Sequence, residues 1–282
     1  MKKSLRFAAS GMILFAALAM SACSEEKTNQ IRINYIPPSN PEYLHIYKLL
    51  KEEQHTLENL QEFLSPFRLP WTLEISLTEC DGEADAMYFD GTIKICYEYI
   101  DELWSNMPVK TTPAGIEPID TFFGPFLDTV LHEFAHALFD YHDIPVLGRE
   151  EDAADQVAAY IYLQLVGEEA QRLIMGTVYT YMAEVVDTDP PSIEEYADEQ
   201  STSEQRAYNL MCIAYGSDPE LFKIFTAKGG LPEERAEICA EEYELLVLAF
   251  ETLIDPYIDY DMADKIFDAS WLPKENSLIL NR

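Results

Sequence analysis

The stretch TVLHEFAHALF, Thr129 to Phe139, sets His132, Glu133 and His136 into a run that is otherwise almost wholly apolar. Polar groups in such surroundings are costly unless something pairs with them. The chain has only five histidines, and two of them are spent here. On a helix, His132 and His136 stand one turn apart and project from one face, at a separation that two ligands of one ion can use. Glu133 falls about 100° further round, beside such an ion rather than on it. This is the pattern H-E-x-x-H, in which two histidines bind zinc and the glutamate serves as base. The expected chemistry is metal-assisted hydrolysis of a peptide or similar amide: Glu133 takes a proton from the attacking water and passes it to the leaving amine.

A catalytic zinc needs a third protein ligand and an open fourth position. Candidates lie in GREEDAADQVAAYIYLQL, which reads as a helix beginning near Gly148 with an apolar stripe of Ala154, Val157, Ala158, Ile161 and Leu165. At about 100° per residue, Glu150 and Glu151 flank that stripe on opposite sides, whereas Asp152 points away. Glu151 is the expected ligand and Glu150 the alternative. Asp155, one turn beyond Glu151, is expected to accept the free ring N–H of a ligand histidine and fix its tautomer. Stabilising a developing oxyanion takes a further donor. The segment EQRAYNLMC offers Arg206, Tyr208 and Asn209; Tyr208 is the residue assigned that catalytic role, with Arg206 next and plain packing the competing expectation for the tyrosine. Asp128 lies one turn before His132 and Asp140 one turn after His136, where solvent exposure is expected and a bond to a ligand histidine is the alternative, and His142 follows the helix in a position that favours its dipole.

HEFAH followed by EDAAD, with Glu151 fifteen residues after His136 and Asp155 four further on, resembles the gluzincins, the thermolysin-like metallopeptidases. In that group the third ligand is a Glu with an Asp four residues later. LHEFAHALFD, GREEDAADQVAA, CDGEADAMYFDGTIKICYEYI and YNLMCIAYGSDPELF are similar, more closely, to a bacterial family of metallopeptidases of unknown function, over roughly Tyr35 to Leu246. The resemblance implies a zincin-like catalytic domain and no known substrate; the motif chemistry makes zinc the expected cofactor and a peptide or protein the expected substrate. The competing expectation is a non-catalytic envelope binding or scaffold lipoprotein that retains the fold. The intact Glu133 argues against it, because a structural zinc site closes its fourth position with Cys or His and has no use for a base.

These groups must be positioned by their elements. PEYLHIYKLLKEEQHTLENLQEFLSPF has apolar residues at helical spacing between Pro41 and Pro66 and reads as one long amphipathic helix. WTLEISLTEC alternates apolar and polar residues, and MYFDGTIKICYEYI holds a DG turn, so a small mixed or antiparallel sheet is expected there. Its strand TIKICYEY is the edge expected to hold an extended peptide by strand addition. Gly124 and Pro125 suit the start of the motif helix, which should run to about Asp140. Helices follow to about Tyr257. The fold class is α+β, mostly helical.

The N-terminus gives the compartment. Residues 1–22 carry Lys2, Lys3 and Arg6 ahead of an apolar segment and read as an export signal. AMSAC resembles the lipobox of bacterial lipoproteins, which makes Cys23 the lipid-bearing residue, residues 23–40 a tether, and residues 41–282 the metallopeptidase domain. The resulting expectation is a protein of the bacterial cell envelope, held at the membrane by its lipid, with the outer membrane favoured and the domain facing the periplasm or the cell surface. In that oxidising compartment the four remaining cysteines should pair. Cys80 with Cys96 and Cys212 with Cys239 is the pairing that closes short loops. A formal charge of −32 makes nucleic acid and anionic lipid surfaces poor partners.

Overall fold

A computed structural model describes residues 30–165, 167–185, 192–267, 269 and 271. The export signal, Cys23 and the tether up to residue 29 lie outside the described residues. The molecule is mostly helical with one mixed four-stranded sheet in the order β1-β2-β4-β3, formed by Ile31–Tyr35 (β1), Leu73–Thr78 (β2), Ala86–Phe89 (β3) and Thr92–Cys96 (β4). β1 therefore lies in the segment expected as tether, and the ordered domain begins before residue 41. Leu73, Ile75 and Leu77 are buried along β2, which pairs in parallel with both β1 and β4. Parallel pairing requires a crossover between strands. The chain from 36 to 72 supplies one with α1 (Leu44–Lys48) and α2 (Thr56–Phe63).

The single helix expected between Pro41 and Pro66 is interrupted. A π-type turn at Leu49–Glu53 precedes His55, whose φ of 50° breaks the ladder. The two pieces then bury separate stripes, Ile46 and Leu50 on one side of the break and Leu57, Leu60 and Phe63 on the other. Asn59 Nδ2 donates to the Gln54 carbonyl exposed at the break (2.9 Å).

β3 and β4 form the hairpin that the DG pair implies. Asp90 and Gly91 have φ of 44° and 78°, the two positive values a type I′ turn demands. β4 is thereby an interior strand, and the edge that faces the motif helix is β3. The last residues of TIKICYEY, from Tyr97 on, open α3 (Tyr97–Asn106) rather than extending the strand. Buried Glu98 in its first turn accepts from the backbone N–H of Cys80 and Gly82 and anchors the loop that the Cys80–Cys96 disulfide closes.

The motif helix α4 runs Asp120–Tyr141, four residues longer at its start than Gly124 suggests, with Pro125 inside it. An interior proline frees the carbonyl one turn back. Here Thr180 Oγ1 reaches that carbonyl, on Thr121, at 3.4 Å. α5 (Glu150–Tyr162) returns against α4, and α6 (Gly167–Val185) crosses it with Arg172 paired to buried Asp120 at 2.7 Å. Short α7 (Ile193–Ala197) leads to α8 (Ser203–Ser217), then α9 (Ile224–Ala227), α10 (Glu233–Ala236), α11 (Cys239–Leu253) and α12 (Tyr260–Phe267). The Cys212–Cys239 disulfide ties α8 to α11. Among the described residues no helix is long and apolar enough to cross a membrane.

Candidate metal centre and cleft

α4 is almost entirely buried, so His132 and His136 are fixed by the packing of the helix that carries them. Their Nε2 atoms are 3.1 Å apart. Glu151, in the first turn of α5, places Oε2 at 3.0 Å from His132 Nε2 and Oε1 at 3.5 Å from His136 Nε2. Ligands held about 2.0–2.1 Å from a tetrahedral zinc lie roughly 3.4 Å from one another. The three separations suit one such ion, and two imidazoles with one carboxylate are a donor set zinc accepts. These residues form a group able to hold a metal.

The outer nitrogens are held as well. His132 Nδ1 donates to Asp155 Oδ1 (2.8 Å) and His136 Nδ1 to Glu150 Oε1 (2.9 Å). Glu150 and Glu151 therefore occupy different places, Glu151 at the paired Nε2 atoms and Glu150 behind His136. Burial opposes a charge on His132, but the carboxylates of Asp155 and Glu151 outweigh it and push its pKa up to about 9. The site is built to hold positive charge. Glu151 is held below the usual carboxylate range by its bond to His132. Asp155 is lowered too: burial disfavours its ionised form, yet His132 and Arg206 prevail.

Glu133 is buried beside this group, and Oε2 accepts the Tyr88 backbone N–H at 2.6 Å. Burial raises its pKa against the lowering influence of the two histidines. That bond puts the Glu133 carboxylate next to the sheet edge. Arg206 grips Asp155 through Nε (2.9 Å) and Nη2 (2.7 Å), and its guanidinium lies over the Tyr181 ring at 4.6 Å. Tyr181 in turn donates to Asp128 Oδ2 at 2.6 Å. Asp128, expected at the surface, is buried, and burial pushes its pKa up to about 6.

Tyr208, assigned an oxyanion role from the sequence, does not line the cleft. It lies two residues from Arg206, about 200° round the helix, and packs half-buried against the core. His142 stacks on Tyr257 at 3.6 Å, outside the cleft. Asp140 is a cleft residue, accepting from the Tyr88 hydroxyl at 2.5 Å. Asp152, turned from the centre as expected, takes a bond from Ser201 (2.5 Å).

Two contributors left no local signal in the sequence. Tyr88 with Asp85, Ala86 and Met87 forms one wall of a cleft of about 720 Å³, and Asp198, Glu199 and Gln200 form another. With its amide turned to suit both neighbours, Gln200 donates to Glu151 Oε2 (2.7 Å) and accepts from Arg206 Nε (3.0 Å). Both segments meet the motif only through tertiary packing.

No curated protein and no solved structure matches the chain. The family model described as "Putative metallopeptidase" matches residues 35–254, more than three quarters of the chain, and the chain belongs to that family.

Proposed function

We propose that the protein is a zinc-dependent peptidase in which His132, His136 and Glu151 hold the metal and Glu133 is the general base. The observation that carries this reading is the convergence of the two histidine Nε2 atoms, 3.1 Å apart, with the Glu151 carboxylate, whose two oxygens lie 3.0 Å from one and 3.5 Å from the other, and a buried carboxylate alongside. Zinc bound there acidifies water and polarises a carbonyl. The remaining steps belong to the chain's own residues. The Tyr88 N–H holds Glu133 Oε2, which leaves Oε1 to take a proton from the attacking water. Burial makes the protonated carboxyl less costly than it would be in water, so Glu133 can carry that proton to the leaving amine. Asp155 and Glu150 keep the histidine rings turned with Nε2 inward, and Arg206 braces Asp155 from behind. β3 offers an edge along which an extended peptide can lie. We place the protein at the cell envelope, tethered through Cys23, on the sequence of its first residues.

Elemental analysis of purified wild type and of His132→Ala, His136→Ala, Glu151→Ala and Glu133→Gln tests this. One zinc per chain is expected in wild type and Glu133→Gln, and loss of zinc in the other three. Glu133→Gln should also reduce peptide hydrolysis by at least about 10²–10⁴-fold. A Glu133→Gln protein that cleaves as wild type does would rule out the assigned base.

A further inference from the structure

The cleft is lined by fifteen residues, of which seven are carboxylates and none is lysine or arginine. In the whole chain 51 of 282 residues are acidic and 19 basic, so the lining is enriched in acid well beyond the general acidity of the molecule. Glu133 and Glu151 belong to the reaction centre. The other five come from separate parts of the chain: Asp85 leading into β3, Asp140 in the last turn of α4, Glu150 at the start of α5, and Asp198 and Glu199 ahead of α8. The negative charge therefore surrounds the cleft rather than lying along one helix. A divalent ion at the centre offsets only two of the seven charges.

Internal partners do not supply the balance. Glu150 is matched by His136 and Asp140 by the Tyr88 hydroxyl. Among the described residues Asp85 and Asp198 accept from neighbouring backbone N–H groups alone, those of Ala86 and Gln200. Among the described residues Arg206 is bonded to Asp155, Arg149 reaches Ser201 next to the wall formed by Asp198, Glu199 and Gln200, and no ion pair joins a lysine or arginine to these five carboxylates. A cleft lined by one sign of charge concentrates ligands of the other sign and repels its own.

Building on the peptidase reading, we propose that the cleft binds cationic peptides, with lysine or arginine side chains flanking the bond to be cut. The rim carboxylates Asp85, Asp198 and Glu199 are the groups placed to meet those side chains. Acidic peptides are excluded by the same charges, so specificity arises from repulsion as well as attraction.

The test uses three fluorescein-labelled peptides of one sequence that differ only in carrying lysine, glutamine or glutamate at the positions flanking the central bond. Binding to zinc-loaded Glu133→Gln protein is followed by fluorescence anisotropy, and hydrolysis of the same peptides by wild type is followed in parallel. The lysine peptide is expected to bind at least about tenfold more tightly than the glutamate peptide, about 1.4 kcal/mol. That gap should narrow when salt is raised towards about 1 M, where screening acts over roughly 3 Å. Adding Asp198→Asn with Glu199→Gln should narrow it by at least about threefold. The exposed pair Glu233→Gln with Glu234→Gln on α10, outside the cleft, should leave it unchanged.

Equal binding of the three peptides overturns the inference, as does a preference that the α10 pair weakens as much as the cleft pair, which would assign it to overall charge. Cleavage of all three peptides without preference also overturns it while leaving the peptidase reading intact. A binding preference that depends on the cleft pair, with no cleavage of any peptide, supports the cationic ligand and counts against the peptidase reading instead.

Discussion

Asp155 and Glu150 do the same thing to different histidines, each accepting an Nδ1 proton at close to the same distance. Their surroundings differ. Asp155 is 21 % exposed and gripped by Arg206, whereas Glu150 is 57 % exposed, where water can replace the bond it makes. Asp155→Asn should therefore weaken zinc binding by about 10–100-fold, and Glu150→Gln by no more than about fivefold, since an exposed pair contributes roughly 0–1 kcal/mol. Competition against a chromophoric chelator measures both, and equal losses would show that the buried bridge has no special part. His132, Glu133 and His136 were legible in the sequence because helix phase alone sets which of them share a face. Glu151 and Asp155 were legible because four-residue spacing aligns them with the same neighbour. Gln200 and Tyr88 were not, since only the packing of the segment before α8 against α5, and of β3 against α4, brings them within reach. Tyr208 was misplaced for a related reason: a helical segment announces its polar residues but not which of its faces meets the cleft.

At the scale of elements, the motif helix is packed between α5 and α6, and its approach to α6 is the more telling. α4 and α6 approach so closely that a Cβ on Gly176 would lie 1.9 Å from the Asp120 carbonyl oxygen, and one on Gly124 would lie 2.4 Å from that of Leu173. Backbone opposes backbone at both points, so no side chain can swing aside. Gly176→Ala should accordingly destabilise the protein by about 2–3 kcal/mol, the steric cost outweighing the roughly 1 kcal/mol that alanine gains in helix propensity. At about 2–4 °C per kcal/mol for a domain of this size, a melting temperature lower by at least about 4 °C is expected in a thermal scan. A variant that melts at or above the wild-type temperature would mean that α4 and α6 stand further apart. This crossing also explains why the start of α4 was misjudged. Pro125 reads locally as a first-turn residue, but the helix continues past it because Thr180 on α6 bonds the carbonyl that the proline leaves open. The break at His55 was hidden in the same way, because the apolar spacing stays helical on both sides while each half turns to its own part of the core. The hairpin and the two disulfides were legible, being set by an Asp-Gly pair and by short loops between cysteines.

For the molecule as a whole, the metal group is a junction. His132 and His136 sit in α4 and Glu151 in α5, while Arg206 carries the contact through Asp155 into α8, which the Cys212–Cys239 disulfide joins to α11. An ion held between α4 and α5 therefore binds the folded chain and has no equivalent site in the unfolded one, so its binding energy adds to folding stability. Opposing this is a formal charge of −32, whose self-repulsion falls hardest where acids crowd together, and the cleft is such a place. At free zinc a thousandfold above its dissociation constant the stabilisation is about 4 kcal/mol. Removing zinc with a chelator should then lower the melting temperature by about 8–16 °C, as one cooperative transition rather than as early loss of a local segment. His132→Ala should melt at the lower temperature already and show no further change on chelation. If chelation leaves wild type unmoved while His132→Ala is still destabilised, the histidine acts through packing alone and the metal centre is not formed in solution.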